Sequence, residues 1–401
     1  MNAEFIMTPG PTEIPVRVLK ALMQPATVPG DASFVEIHDE VAARLQAVLG
    51  TKNAVVFFPG AGRIAVESAL GSILEPGDRI ITVNNGVFGH WLGLIAERLG
   101  AVNVEVRADW RRGVDPELIR ETLREERQVK AVAIVHNETS TGVANPIAEI
   151  GKIVKEYGAL YCVDVVSSAG GDWVKADERY IDLAMTCSYK CMNCPPGFAI
   201  VSVSENAWAV MARRKVRHSY WLDLYKYVEM WLPKNRGGQE IWGYRRHVVE
   251  PAPQLTYAIC EGLKILEEEG LGARYRRNMI AGRALREAIR AMGLELYPRG
   301  ETDASNTVTA IMNPEGFCAT EVVEVMRKEC GVVIAGALEE VAGKVLRIGH
   351  MSAASTPIHI LYAIEALELA FSRLGLPITP QAGIYTALSV FRAANSRGCS
   401  T

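Results

Sequence analysis

The feature that most restricts what this chain can fold into is an alternation. Between about residue 50 and residue 205, short apolar runs trade places with segments of helical periodicity. The runs at 54–58, 79–83, 132–135, 160–163 and 198–203 are rich in Val, Ile and Phe and read as strands buried on both faces. Segments 64–74, 91–99, 116–124 and 147–157 read as amphipathic helices between them. Strands and helices in this order imply right-handed crossovers and an α/β fold with a mainly parallel sheet. In such sheets ligands bind beyond the carboxyl ends of the strands, in the loops that lead into helices. The chemistry is therefore expected just after each strand.

Beyond residue 205 the pattern breaks into an aromatic and basic stretch at 217–238, RHSYWLDLYKYVEMWLPKNRGG, which reads as an interface or a pocket wall. A long helical stretch at about 254–292 leads into a second unit. That unit alternates again, through 307–312, 319–330, 332–335, 344–348 and 357–374. The expected organisation is a large domain at 1–260, whose N-terminal residues line the site, a smaller C-terminal α/β domain at 261–380, and a tail at 381–401. No internal repeat or low-complexity segment interrupts it.

Bulk properties narrow the class of function. A chain of 401 residues buries a substantial core and normally divides into more than one domain. Its 49% hydrophobic and 22% charged residues are those of an ordinary globular protein, and a net charge of −3 leaves no footprint for nucleic acid or an anionic membrane. No charged segment followed by an apolar one is read at residue 1 onward, so no secretory leader is expected, and no apolar run reaches the ~18 residues that span a bilayer. The final CST is neither a prenylation box nor a peroxisomal tripeptide. Eight cysteines are scattered, without the density of a disulfide framework, which favours reduced thiols. A soluble cytoplasmic enzyme is expected.

Taken in order, the loops after the strands carry a consistent set of groups. Pro59-Gly60-Ala61-Gly62-Arg63 opens a helix with free backbone N–H groups and a fixed cation, a weak anion-site signal because glycine turns before helices are common. It lacks the Lys-Ser/Thr ending of a P-loop and the third glycine of a dinucleotide fingerprint. Asn84-Asn85-Gly86-Val87-Phe88-Gly89 sets Phe88 at the site edge, where its ring could lie on an aromatic cofactor; by itself it reads as core. His136-Asn137-Glu138-Thr139-Ser140-Thr141-Gly142 is either a polar turn or the place where a ligand's oxygens are read. Asp164 ends an apolar strand and is followed by Val165-Val166-Ser167-Ser168-Ala169-Gly170-Gly171. A carboxylate there is costly unless it faces a cation. In the second unit Arg347, within Gly343-Lys344-Val345-Leu346-Arg347-Ile348-Gly349, asks for a carboxylate partner, either structural or that of an amino-acid substrate.

The segment Cys187-Ser188-Tyr189-Lys190-Cys191-Met192-Asn193-Cys194-Pro195-Pro196-Gly197 offers two chemistries, an iron–sulfur site on three thiols or a reactive lysine lined by them. Asp164 decides between them. It lies 26 residues upstream of Lys190, with one further strand-like run between, so the two belong on neighbouring strand ends. An aspartate that keeps a pyridine nitrogen protonated and a lysine that forms a Schiff base are what pyridoxal phosphate needs. A cluster has no use for the aspartate, and a zinc module lacks a fourth ligand at metal-site spacing. No metal is expected.

Together these motifs resemble the class V aminotransferases of fold type I, in the alanine/serine–glyoxylate (serine–pyruvate) group. The resemblance runs from Thr8-Pro9-Gly10-Pro11-Thr12 to about Leu374 and is carried best by HNETSTG, VDVVSSAGG, SYKCMNCPPG and GKVLRIG. It implies a large domain with a mainly parallel seven-stranded sheet and a smaller C-terminal α/β domain. Lys190 corresponds to the Schiff-base lysine, Asp164 to the partner of the pyridine nitrogen, and Phe88 to the ring-stacking aromatic. Thr139 corresponds to the hydroxyl near the cofactor's phenolic oxygen, and Val166 packs on the opposite ring face. Arg347 corresponds to the grip on the substrate carboxylate, and Gly10 lines the substrate pocket. The phosphate cup departs from the family pattern at four places. Ala61 stands for a hydroxyl residue in the Gly60–Gly62 turn and is followed by Arg63, and Tyr189 stands for a glutamine. His247 and Glu250 stand for the Tyr and Thr that reach the phosphate from a partner subunit. Arg63 and the WRRGVDPE segment also resemble the ureidoglycine–glyoxylate branch.

The implied reaction is a ping-pong transamination. Lys190 yields the cofactor's aldehyde to a donor such as alanine or serine, then serves as general acid and base. Glyoxylate or pyruvate takes the amino group in the return half. One arginine clamp favours a monocarboxylic substrate, and the run Arg213-Arg214-Lys215 reads as a solvated face. The resemblance also implies a homodimer with shared active sites. A cysteine desulfurase would need a nucleophilic thiol on a loop of the small domain, whereas Cys318 and Cys330 lie in apolar, helix- or strand-like contexts.

Overall fold

In the computed structural model, which describes residues 4–232 and 247–398, the apolar runs assemble into one seven-stranded sheet. The end of the aromatic and basic stretch (233–238) and the last three residues lie outside the described residues. The strands are β1 (Ala54–Gly60), β2 (Arg79–Asn84), β3 (Val102–Arg107), β4 (Val129–Val135), β5 (Leu160–Asp164), β6 (Leu183–Cys187) and β7 (Gly197–Val203). Their order across the sheet is β1-β7-β6-β5-β4-β2-β3. Only β7 runs antiparallel to its neighbours, β1 and β6; every other pairing is parallel. The apolar-run criterion missed β3. As an edge strand it alternates Val with Asn, Glu and Arg, because one face and one edge meet water.

Successive side chains of a strand face opposite sides, and both sides are covered. Val55 and Phe57 join one buried cluster, with residues of α1 (Ala32–Leu49), α4 (Pro116–Glu125), α5 (Ile147–Glu156) and α6 (Pro253–Glu269). Ala54, Val56 and Phe58 join the other, with α2 (Gly62–Ile73) and α3 (Val87–Arg98). This sandwich explains why the strands read as uninterrupted apolar runs. Helices α2 and α3 begin directly beyond the ends of β1 and β2, so their N-termini face the carboxyl edge of the sheet.

The single helical stretch read at 254–292 is two helices, α6 and α7 (Leu271–Ala291). Gly270 between them adopts φ +80°, a left-handed conformation that glycine enters without strain. The second unit holds a three-stranded antiparallel sheet of β8 (Val308–Met312), β9 (Ala335–Gly336) and β10 (Val345–Gly349), ordered β8-β10-β9. Helices α8 (Ala319–Cys330), α9 (Pro357–Arg373) and α10 (Ala382–Gly398) pack around a core that includes Leu346, Ile348, Ile364 and Phe371.

Two boundaries differ from the sequence reading. Phe5–Ile6 pairs in parallel with Val332–Val333, so the first strand joins the smaller unit, where its backbone groups find partners, and not the large domain. The segment set apart as a tail forms α10, whose Ala387 is buried in the second core with Ile384, Val390 and Phe391 packed against it. From Phe5–Ile6 the chain crosses at Thr8–Pro11 to the carboxyl edge of the large sheet.

Candidate active site

Two chemically awkward residues meet at that edge. Asp164 is the last residue of β5, in register with Val135 of β4 and Met185 of β6. Lys190 follows β6, and both side chains open into a cavity of about 360 Å³. The walls come from the loop after β4, the starts of α2 and α3, the N-terminal turn, and β9 and β10 of the smaller unit. Each post-strand loop singled out in the sequence therefore contributes, as a parallel sheet requires.

Asp164 is buried, with a hydrogen bond from the Val166 N–H at 2.8 Å. Burial pushes its carboxyl up to about 7, Glu138 adds to the rise, and Lys190 opposes it. A cation placed against it would restore the charged form. Lys190 is shifted the other way: burial lowers its amine, Arg347 lowers it further, and Cys187, Cys191 and Asp164 oppose. The amine donates to the Pro9 carbonyl at 2.6 Å and to Ser167 Oγ at 3.4 Å. Gly10 makes room for this. Its φ is +126°, and a Cβ there would lie 2.6 Å from Lys190 Cε.

Helix α3 presents Phe88 and, one turn on, Trp91, with the rings edge-on at 5.2 Å. Its N-terminus is held by the buried Glu138, whose carboxylate accepts from Gly89 N–H at 2.9 Å and from Ser140 Oγ at 2.6 Å. Burial raises the Glu138 carboxyl, and the hydrogen bonds from Ser140, Gly89 and Phe88 oppose that rise. Only glycine fits at position 86, because a Cβ there would lie 2.2 Å from Glu138 Cγ. Val166 lines the cavity as well and packs against Gly62, where a Cβ would lie 2.8 Å from Val166 Cγ2.

Helix α2 starts without a side-chain cap, leaving its first N–H groups available to an anion. The Gly62 N–H meets the Tyr189 hydroxyl at 3.4 Å. Burial pushes that phenol up to about 12, so it stays protonated and can donate. Arg63 lies over the Trp91 ring at 4.5 Å, and Trp91 Nε1 donates to Glu339 of the smaller unit at 2.9 Å. Gly60 and Ala61 shape the turn but do not line the cavity. His247 stacks on Trp231 at 3.8 Å with its Nε2 near the Pro29 carbonyl, and Glu250 is exposed; neither lines the cavity of its own chain.

Across the cavity Arg347 is 5% exposed and forms no ion pair among the described residues. Burial lowers it to about 10, with Glu138 opposing. Its donors go to the Gly336 and Thr139 carbonyls. The described residues of the aromatic stretch lie away from the cavity. The basic run just before that stretch is part-buried: Arg213 and Lys215 are exposed, but Arg214 pairs with Asp223 at 2.7 Å.

Cys187, Cys191 and Cys194 are buried, and burial pushes the first two thiols up to about 11 and about 12 and raises the third as well. Such thiols behave as packing. Among the described residues no group of three or more His, Cys, Asp or Glu could hold a metal ion. Cys318 corrects the sequence reading. It is exposed at the N-cap of α8, where Thr320 and backbone N–H groups lower its thiol, although it does not line the cavity. Cys330 is half-buried and raised by burial.

Sequence reasoning left out several residues that line the cavity or touch the Lys190 amine. Asn137, in the cavity wall, and Ser167, against the amine, lay inside motifs already singled out and needed only the strand ends to point them inward. Trp91 sits three residues after Phe88, so helical spacing would have found it. The Pro9 carbonyl and Leu338 carry no local signal, because their placement depends on how the two units meet.

The pocket fits pyridoxal phosphate by its donor set: a buried carboxylate short of a cation, a buried lysine, an aromatic wall, and an uncapped helix start flanked by Tyr189 and Arg63. The Aminotransferase class-V family profile matches residues 6–225. Serine–glyoxylate aminotransferase of Methylorubrum extorquens is 34% identical over 96% of this chain and 96% of its own length. The ureidoglycine–glyoxylate aminotransferase structure from Bacillus subtilis superposes with a TM-score of 0.90 at 32% identity, covering 98% of this chain and 99% of that one. Pyridoxamine–pyruvate aminotransferase from Mesorhizobium loti superposes with a TM-score of 0.92 at 27% identity, covering 98% of both chains.

Proposed function

The chain belongs to the class-V aminotransferases, and from that premise we propose that it transfers the amino group of alanine or serine to glyoxylate or pyruvate. The cofactor is pyridoxal phosphate. It supplies the aldehyde carbon that takes up the amino group and an electron-poor ring that accepts electrons as the substrate Cα–H bond breaks. The observation that carries the reading is the convergence of Asp164, Lys190 and Arg347 on one cavity, each buried and none in an ion pair among the described residues.

The residues divide the work. Lys190 holds the cofactor covalently at rest; its amine, lowered by burial, then receives the substrate's Cα proton at Nζ and gives it back. Asp164 would partner the pyridine nitrogen and keep it protonated, and a cation there would return the aspartate to its ionised form. Phe88 and Val166 would hold the ring and the Thr139 hydroxyl its phenolic oxygen, and the start of α2, with Arg63 and Tyr189, would take the phosphate. His247 and Glu250 act, in this reading, from a second copy in a homodimer. Arg347 binds the α-carboxylate, and Gly10 keeps the approach to Lys190 open.

Ureidoglycine as amino donor is a second reading. It is favoured by Arg63, which lines the cavity without an acidic partner in ion-pair reach among the described residues. The enzyme is expected to act in the cytoplasm; among the described residues no helix is long and apolar enough to cross a membrane. The test is the visible absorbance of purified protein with pyridoxal phosphate. The lysine-bound band should form, shift on adding alanine or serine, and be missing in Lys190→Ala. A band that ignores both amino acids but shifts with ureidoglycine selects the second reading. Retention of the band in Lys190→Ala would sink both.

A further inference from the structure

Lys190 is tied at its tip to two oxygens, and one of them begins a longer path. Nζ donates to the Pro9 carbonyl at 2.6 Å and to Ser167 Oγ at 3.4 Å. Ser167 Oγ is hydrogen-bonded in turn to Thr139 Oγ1. The Thr139 carbonyl accepts from Arg347 Nη1 at 3.1 Å. Two buried side chains thus connect the amine that moves protons with the guanidinium assigned to the substrate carboxylate.

We propose that Ser167 is a positioning residue: with the Pro9 carbonyl it forms a dock that aims the Lys190 lone pair into the cavity whenever the amine is not bonded to the cofactor. The proposal rests on the reading of Lys190 as the proton-moving base. A neutral amine carries two N–H bonds and one lone pair, arranged tetrahedrally with Cε. The Pro9 carbonyl can only accept, so it commits one N–H. When Ser167 accepts the second, a single direction is left for the lone pair. The proposed arrangement has Ser167 turn its own O–H to Thr139 Oγ1, which leaves the Thr139 hydroxyl proton for the cavity. With Pro9 and Ser167 both accepting from the amine, and Ser167 donating to Thr139, every hydrogen along the path has a direction.

The surroundings keep this arrangement rigid. Ser167 is 2% exposed, and its carbonyl accepts from Thr307 Oγ1 at 2.8 Å and faces Cys191 Sγ at 3.7 Å. Gly10 leaves the lysine stem its channel. The charged and titratable groups facing the amine are Arg347 from β10, Asp164 from β5, Cys187 from β6 and Cys191 from the lysine's own loop. None of these accepts a hydrogen bond from Nζ, which leaves orientation to Pro9 and Ser167.

Ser167→Ala and Ser167→Thr in the full chain test the dock. Without cofactor, acetylation of Lys190 by acetic anhydride is followed across pH by peptide mass spectrometry. Loss of an acceptor that stabilises the ammonium form should lower the Lys190 midpoint by about half a pH unit in Ser167→Ala. In the loaded enzyme kcat should fall roughly tenfold, with KM for the amino donor within about twofold, because orientation and not binding is lost. Ser167→Thr should restore both. If Ser167→Ala does not fold, Ser167→Cys, a much weaker acceptor of similar size, takes its place with the same expectations. A folded Ala or Cys variant that keeps the wild-type midpoint overturns the dock, whatever its kcat. If the wild type itself neither forms the lysine-bound band nor turns over amino acids, the proposed function fails, while the acetylation midpoint still judges the dock.

Discussion

The Arg347 guanidinium donates twice to the Gly336 carbonyl, at 2.9 Å from Nε and 2.6 Å from Nη2. Gly336 lies on β9, the strand paired with the one that carries Arg347. With the third bond to Thr139, two backbone carbonyls fix the plane of the guanidinium, and no carboxylate forms an ion pair with it among the described residues. A buried cation held in this way is a prepared receptor for an anion.

Arg347→Lys keeps the charge but loses the planar fork. Steady-state kinetics should show kcat/KM falling about a hundredfold for both amino donor and oxo-acid acceptor, chiefly through KM, a loss of about 3 kcal/mol. The visible band of the lysine-bound cofactor should remain.

Asp164 makes stability respond to pH. Its carboxyl, near ~4 in an unfolded chain, is pushed up to about 7 by burial. Between those values the folded protein holds a proton that the unfolded chain has released, so the cofactor-free protein loses stability as pH rises through that window. Asp164→Asn removes the effect. Relative to wild type it should gain stability from about pH 4 to about pH 8, by at most about 4 kcal/mol. Added pyridoxal phosphate should then stabilise the wild type more than the variant at about pH 8. Melting curves with and without cofactor at both ends of the window check this, and parallel responses of the two proteins would contradict it.

Gly10→Ala places a methyl 2.6 Å from Lys190 Cε, at a φ of +126° that alanine rarely adopts. The backbone cost is roughly 1–3 kcal/mol. The displaced lysine should cost kcat roughly a hundredfold. A single-turnover measurement of the alanine half-reaction, set beside a melting curve, separates the two effects.

Thiol reactivity should be highest outside the 187–197 motif. Among the described cysteines, exposed Cys318, lowered by its cap interactions, should be alkylated first by iodoacetamide, while buried Cys187, Cys191 and Cys194 resist. Mass spectrometry gives the order, and transaminase activity should survive modification of Cys318, which lies off the cavity. Loss of activity in step with Cys318 labelling would count against that placement.

Some of this was local and therefore legible. A strand covered on both faces needs an apolar run, so the five runs marked five of the seven strands, the buried edge strand β1 among them, while β3, partly exposed along its length, left no such trace. Asp164 and Lys190 stood out because parallel topology sends strand ends to one edge, and a charge at the end of an apolar strand has to be accounted for. Cys318 was misread because an N-cap turns outward from the apolar helix that follows it.

By itself, then, the sequence determined the layered α/β architecture, the Asp–Lys pairing and the class of chemistry, since periodicity and buried charge are properties of neighbours along the chain. Only the tertiary structure decided what touches the Lys190 amine. Pro9, Ser167 and Arg347 come from the N-terminal turn, the loop after β5 and the smaller unit. Hydrogen bonds form over about 3 Å, and no spacing along the chain reports which distant segments packing brings within that reach.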